Sequence, residues 1–186
     1  MSGVSDGIKT IALWITGLPG SGKSTIAEAI KTIHPDFIVL RMDELRRIVT
    51  PEPSYSEEER EMVYRCLVYV ASTLVDHGHN VLIDATGNLR RWRDLARDLI
   101  TRYGEIYLKC PLEVCREREV MRRETHGAPR DIYRKSKAGW PVPGVSAPYE
   151  EPENPSLIVE TDKITMSEIL QKIEDVITRL QTREAA

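Results

Sequence analysis

The run Gly17-Leu18-Pro19-Gly20-Ser21-Gly22-Lys23-Ser24 meets the phosphate-loop spacing at every fixed position. With glycine at about 7% of average composition, chance supplies such a match in under about 1% of chains this long. The glycines allow consecutive backbone N–H groups to turn inward around phosphate oxygens, and a following helix adds favourable potential at its amino end. Lys23 can bridge the β- and γ-phosphates of a triphosphate, and the Ser24 hydroxyl can sit on Mg²⁺. The competing reading is a tight strand-to-helix turn carrying an incidental lysine. The expectation is that Gly17, Leu18, Pro19, Gly20, Ser21, Gly22, Lys23, Ser24 and Thr25 bind ATP.

Phosphoryl transfer to a small molecule also needs a carboxylate beside the acceptor hydroxyl, cations around the acceptor's charge and a cover that excludes water. Asp43, in Leu40-Arg41-Met42-Asp43-Glu44-Leu45-Arg46, lies just beyond an apolar run. It can accept the hydroxyl proton or hold metal-bound water, or it can cap a helix. Asp84 follows Val81-Leu82-Ile83, where a Walker-B carboxylate, a second base or a cap would each fit. Arg116, Arg118, Arg122, Arg123, Arg130, Arg134, Lys135 and Lys137 crowd one segment. Such a segment can close over a triphosphate and neutralise developing charge, though a solvated face explains many of these residues equally well.

The elements that must hold these residues are legible from periodicity. Thr10–Thr16, Phe37–Leu40, Val81–Ile83, Glu105–Lys109 and Leu157–Val159 read as short buried strands. Helical patterns cover Ser24–Thr32, Glu57–His77, Leu89–Arg102, Pro111–Arg123 and a final stretch carrying Met166, Ile169, Leu170, Ile173, Ile177 and Leu180. Ser56 with Glu59 and Thr165 with Glu168 have capping-box spacing. Periodicity vanishes between Arg123 and Pro155, where five of the eleven prolines fall between Pro141 and Pro155. The pattern predicts a loop there that is either ordered but irregular or mobile. Alternating strands and helices imply an α/β domain over 1–186, with a parallel sheet and helices on both faces.

The residues resemble the adenylylsulfate kinase (APS kinase) family, which phosphorylates the 3′-hydroxyl of adenosine 5′-phosphosulfate (APS) with MgATP. The resemblance runs from about Ile11 to Thr161. It rests on the phosphate loop, Pro111-Leu112-Glu113-Val114-Cys115, Pro148-Tyr149-Glu150 and Pro152-Glu153-Asn154-Pro155. It implies the three-layer P-loop kinase fold, with five parallel strands and a lid at about 124–150. Arg130-Asp131-Ile132-Tyr133-Arg134-Lys135 is similar to the family's lid sequence, which adds Arg130 and Lys135 to the acceptor-binding set. By the same resemblance Asp43 is the catalytic aspartate, Arg46 and Arg60 meet the acceptor's anion, Tyr55 stacks on its adenine, and Arg90 also belongs to the acceptor site. Arg118 lies near the ATP base. Dimerisation is typical of the family, so the resemblance allows a homodimer.

The sequence departs from the family mostly on the acceptor side. Arg41 replaces a carboxylate, Val63 replaces a substrate-contacting asparagine, and Thr86-Gly87-Asn88 replaces an Ile-Ser-Pro stretch. Val142 falls where a second adenine-clamping phenylalanine is expected, and extra residues around Arg122–Gly127 precede the lid. A kinase of another acceptor (a sugar, nucleoside or polynucleotide end) and a non-enzymatic ATP-binding switch therefore stay open beside APS.

Composition narrows the class. Lys and Arg number 26 against 29 Asp and Glu, and the net charge of −3 argues against a general nucleic-acid binder. No apolar run approaches the roughly 18 residues of a membrane span, and Met1–Asp6 lacks signal-peptide features. The three cysteines, Cys66, Cys110 and Cys115, form no Cys-x-x-Cys and read as buried thiols of a cytoplasmic protein. His77 and His79 read as a helix-end surface pair. Tyr64, Tyr69 and Tyr107 read as packing residues, and Trp92 and Trp140 receive no chemical role.

Overall fold

The computed structural model describes residues 9–122 and 128–182. Five strands, β1 (Ala12–Gly17), β2 (Ile38–Arg41), β3 (Val81–Asp84), β4 (Tyr103–Lys109) and β5 (Leu157–Glu160), form one sheet in the order 2-3-1-4-5. All four pairings are parallel. The helices are α1 (Lys23–Ile33), α2 (Met42–Val49), α3 (Glu57–Asp76), α4 (Arg90–Leu99), α5 (Leu112–Met121), α6 (Ile132–Ser136) and α7 (Met166–Thr182).

β1 is apolar and buried throughout because both of its faces are covered. Leu13 and Ile15 join a core cluster with Ile26 and Ile30 of α1 and Ile173 and Ile177 of α7. Ala12 and Trp14 face the other way, into a cluster with Val63 and Leu67 of α3 and Trp92 of α4. The two clusters give the sheet a helical layer on each side, as the alternating pattern predicts. Among the described residues no helix is long and apolar enough to cross a membrane.

β1 lies between β3 and β4, so the chain leaves it toward both sides of the sheet. The crevice beyond the carboxyl ends of the strands opens at that reversal, where α/β sheets bind ligands. The register sets Asp84 beside Ile15 on one side and Arg41 on the other, at the mouth of this crevice.

The two helices absent from the periodicity reading, α2 and α6, are eight and five residues long. Neither is long enough to set an apolar period. The capping boxes differ in outcome. Thr165 and Glu168 exchange bonds both ways, with Thr165 N–H donating to Glu168 Oε2 at 2.8 Å and Glu168 N–H to Thr165 Oγ1 at 3.3 Å. At Ser56 only the forward half forms. Tyr69 lies on the outer face of α3 at 70% exposure, against the expectation that it packs, and Met62 of the same helix is 46% exposed. The stripe that does reach the sheet is Val63, Leu67 and Ala71.

Candidate functional site

A cleft of about 600 Å³ lies beyond the strand ends. Its wall includes Pro19, Gly20, Gly22, Lys23, Ser24 and Thr25 from the phosphate loop and the start of α1. The loop can approach a ligand because its glycines occupy positions a side chain would disturb. Gly20 has φ +81°, and a Cβ there would lie 2.3 Å from the carbonyl oxygen of Cys115. Gly22 has φ +105° and hands the chain to α1. Gly17, Leu18 and Ser21 stand behind the lining, and Lys23 Nζ donates to the carbonyls of Gly17 at 3.0 Å and Leu18 at 2.9 Å. Burial lowers the Lys23 pKa, while Asp84 and Asp43 oppose that shift.

Across from the loop, the cleft is lined by Asp43 and Arg46 of α2, Tyr55, Arg60 of α3 and Asp84. Asp43 occupies the first turn of α2, whose cap position is Arg41, so it is not itself the cap residue. Desolvation raises its carboxyl pKa, Arg46 pulls it down, and Asp84 adds a further rise. Arg41 Nε lies 3.9 Å from Asp84 Oδ2, and its guanidinium is also bonded to Glu28. The cation in place of the expected carboxylate therefore sits against Asp84.

Arg60 joins three segments. Its Nη2 donates to Pro141 O at 2.8 Å, its Nε to Tyr55 O at 3.2 Å, and its Nη1 reaches Asn88 Oδ1 at 3.5 Å. Tyr55 stacks obliquely on Trp140, with ring centroids 4.9 Å apart. Lys135 Nζ lies 4.6 Å over the Trp140 ring and the Arg46 guanidinium 5.0 Å over Tyr55. Arg118 reaches the wall from α5, donating to Thr161 Oγ1 at 3.0 Å and Thr161 O at 2.8 Å.

Side chains from elsewhere bond the proline-rich stretch. Asn88 Nδ2 donates to Pro148 O at 2.9 Å, Glu150 N–H to Asn88 O at 2.8 Å, and the buried Arg93 to Glu150 O at 2.7 Å. Tyr133 of α6 donates its hydroxyl proton to Pro19 O at 2.6 Å, which sets this short helix directly on the phosphate loop.

The structure thus brings Lys23, Ser24, Thr25, Asp43, Asp84, Arg46, Tyr55, Arg60 and Arg118 to one cleft. Beside Gly17, Leu18 and Ser21, three residues expected on the acceptor side lie outside its lining. Arg90 bonds Glu153, and its backbone N–H donates to Glu150 at 2.7 Å. Arg130 is exposed, and Lys135 meets the site through the Trp140 ring. Of the extra residues expected around Arg122–Gly127, residues 123–127, Arg123 among them, lie outside the described residues.

Arg122 and Val142, both raised by the sequence, line the wall, whereas sequence reading gave no site role to Trp140 or Asn88, which line it too. Trp140 lies in the aperiodic stretch, and only its place after a lid-like sequence could have flagged it. Val63 is fully buried in the core, so nothing polar is expected of it. The three cysteines are free, Cys66 being only partly buried. The Cys115 thiol is pushed up to about 12 by burial and by Cys110, which keeps it unreactive. Among the described residues no group of His, Cys, Asp and Glu has the makings of a metal centre of its own.

Comparison with known proteins gives this cleft a context. A family model described as adenylylsulphate kinase matches residues 9–160. A probable adenylyl-sulfate kinase of Halalkalibacterium halodurans is 35% identical over 175 residues, covering 89% of this chain and 82% of that protein. One from Archaeoglobus fulgidus is 35% identical over 160 residues, covering 83% and 97%. The APS kinase of Mycobacterium tuberculosis, solved in complex with AMPPNP and APS, superposes with a TM-score of 0.78 at 29% identity, covering 91% of this chain and 98% of that one. This chain belongs to the adenylylsulphate kinase family of ATP-dependent kinases.

Proposed function

We propose that the protein transfers the γ-phosphoryl group of MgATP to the 3′-hydroxyl of adenosine 5′-phosphosulfate. The observation that carries this reading is the continuity of one cleft from the phosphate loop to Asp43, Arg46, Tyr55 and Arg60. A relative of the same fold, the M. tuberculosis enzyme, has been solved with an ATP analogue and APS together.

ATP sets its phosphates among the N–H groups of residues 17–25, with Arg118 beside the base. Lys23 then exchanges the carbonyls of Gly17 and Leu18 for phosphate oxygens, which are stronger, charged acceptors. The Ser24 hydroxyl with the Asp43 and Asp84 carboxylates makes an all-oxygen donor set of the kind Mg²⁺ prefers, and all three line the same cleft. Mg²⁺, when bound, neutralises triphosphate charge. Asp43 accepts or orients the hydroxyl proton. Arg46 and Arg60 hold the acceptor's anionic group, and Tyr55 offers an aromatic face to its base.

A second reading, another hydroxyl acceptor, draws on two observations. Val63 is buried in the core, and Val142 supplies an aliphatic side chain to the wall where the family has an aromatic ring. A coupled ADP-release screen over APS, sugars, nucleosides and 5′-hydroxyl oligonucleotides separates the readings. The proposal expects ADP with APS, and turnover only with another compound would replace it.

A further inference from the structure

The spacing of Ser56 and Glu59 predicts a reciprocal cap, with the Glu59 carboxylate returning to the Ser56 N–H. Ser56 Oγ does accept from Glu59 N–H at 3.2 Å. The Ser56 N–H, however, donates to Ser54 Oγ at 3.3 Å, and the carboxylate of Glu59 turns toward the cleft wall. Its Oε1 accepts from Arg46 Nη1 at 2.8 Å. Its Oε2 accepts from the Ser54 N–H, from Ser54 Oγ at 2.7 Å and from the Tyr55 N–H at 3.2 Å. Both carboxylate oxygens are thereby committed to the two residues that face the acceptor, or to the turn that carries one of them.

Three features separate this arrangement from an ordinary surface ion pair. The Arg46 and Glu59 side chains are 8% and 10% exposed, so the pair is shielded from solvent screening. Tyr55 has φ +57°, a left-handed backbone that a non-glycine residue keeps only where its surroundings impose it. The bond from Tyr55 N–H to Glu59 is part of that imposition. Arg46 and Tyr55 line the cleft beside Asp43, whereas Glu59 stands behind them. Burial alone would raise the Glu59 carboxyl, but its bonds from Ser54, Arg46 and Tyr55 outweigh that and hold it below the usual carboxylate range.

We propose that Glu59 is a positioning residue for the acceptor, fixing the Arg46 guanidinium and the Tyr55 ring in the orientation that receives the anion and the base. This rests on the reading that Arg46 and Tyr55 hold the acceptor. Glu59 touches neither substrate, so its effect falls on acceptor recognition and leaves the phosphate loop alone.

Glu59→Gln keeps the shape but withdraws the charge facing Arg46. It also presents either an amide N–H₂ to the Ser54 and Tyr55 donors or the same group to Arg46. Glu59→Asp keeps the charge one methylene short. The acceptor KM rises about ten-fold in Glu59→Gln, while kcat and the Kd for MgATP stay within about two-fold of wild type. Glu59→Asp falls between the two. An unchanged acceptor KM overturns the proposal, as does an equal loss of acceptor binding, MgATP binding and thermal stability.

A second measurement needs no acceptor. Tyr55 packs on Trp140, so Glu59→Gln alters the near-ultraviolet circular dichroism of the ligand-free protein, and the change disappears in a Trp140→Phe background. Superposable spectra of Glu59→Gln and wild type overturn the positioning role. If wild type proves inactive on APS, the proposed activity fails, and the spectra still decide what Glu59 does.

Discussion

Desolvation acts in opposite directions on two ionisable groups that line the cleft, lowering Lys23 and raising Asp43. Lys23→Ala should cut kcat by about two to three orders of magnitude with the fold intact, measured by steady-state kinetics beside circular dichroism. For Asp43 the sign follows from linkage. Its folded pKa lies above the unfolded value, so ionising it costs stability, fully above the folded pKa and not at all below the unfolded one. Asp43→Asn should therefore melt higher than wild type at pH 7, with the gain fading as pH falls through the raised carboxyl value. It should also lose turnover while still binding MgATP. Asp43 was legible in the sequence because it follows a strand directly. Glu59 was legible only as a helix cap, because its partner Arg46 meets it through the packing of α2 against α3, which local spacing does not encode.

The phosphate loop owes its shape to an element far away in sequence. Gly20 packs on the carbonyl of Cys115 in the first turn of α5, and α6 bonds the loop through Tyr133. Gly20→Ala should cost about 1–3 kcal/mol in denaturant unfolding and weaken MgATP binding, because both the positive φ and the contact oppose a methyl group. The long helices were legible because one buried face imposes a period on them, and the short strands because burial on both faces makes them continuous apolar runs. The short α2 imposes none, yet its ends carry another signal, with Asp43 and Glu44 in its first turn and Arg46 and Arg47 in its last. That order complements the helix dipole and could have marked the helix. The stretch from Pro141 to Pro155 gave no such mark, because side chains from elsewhere, Asn88, Arg60 and Arg93, hold its backbone.

At the scale of the molecule, the order 2-3-1-4-5 places the phosphate loop beyond the central strand and the strand-end carboxylate Asp84 next to it. The residues proposed to face the acceptor come from α2, α3 and the connections around them, on the β2–β3 side of the sheet. The expected departures from the family, Arg41 and Thr86-Gly87-Asn88 among them, fall on that same side of the sheet. The central claim is thus about where the phosphoryl group goes. Incubation with γ-labelled ATP, Mg²⁺ and APS, followed by phosphorus NMR and mass spectrometry of the nucleotide product, tests it most directly. The account predicts that the label appears as a single new phosphate on the 3′-oxygen, matched mole for mole by ADP. Label retained in ATP, or carried only to a different hydroxyl compound, would contradict it.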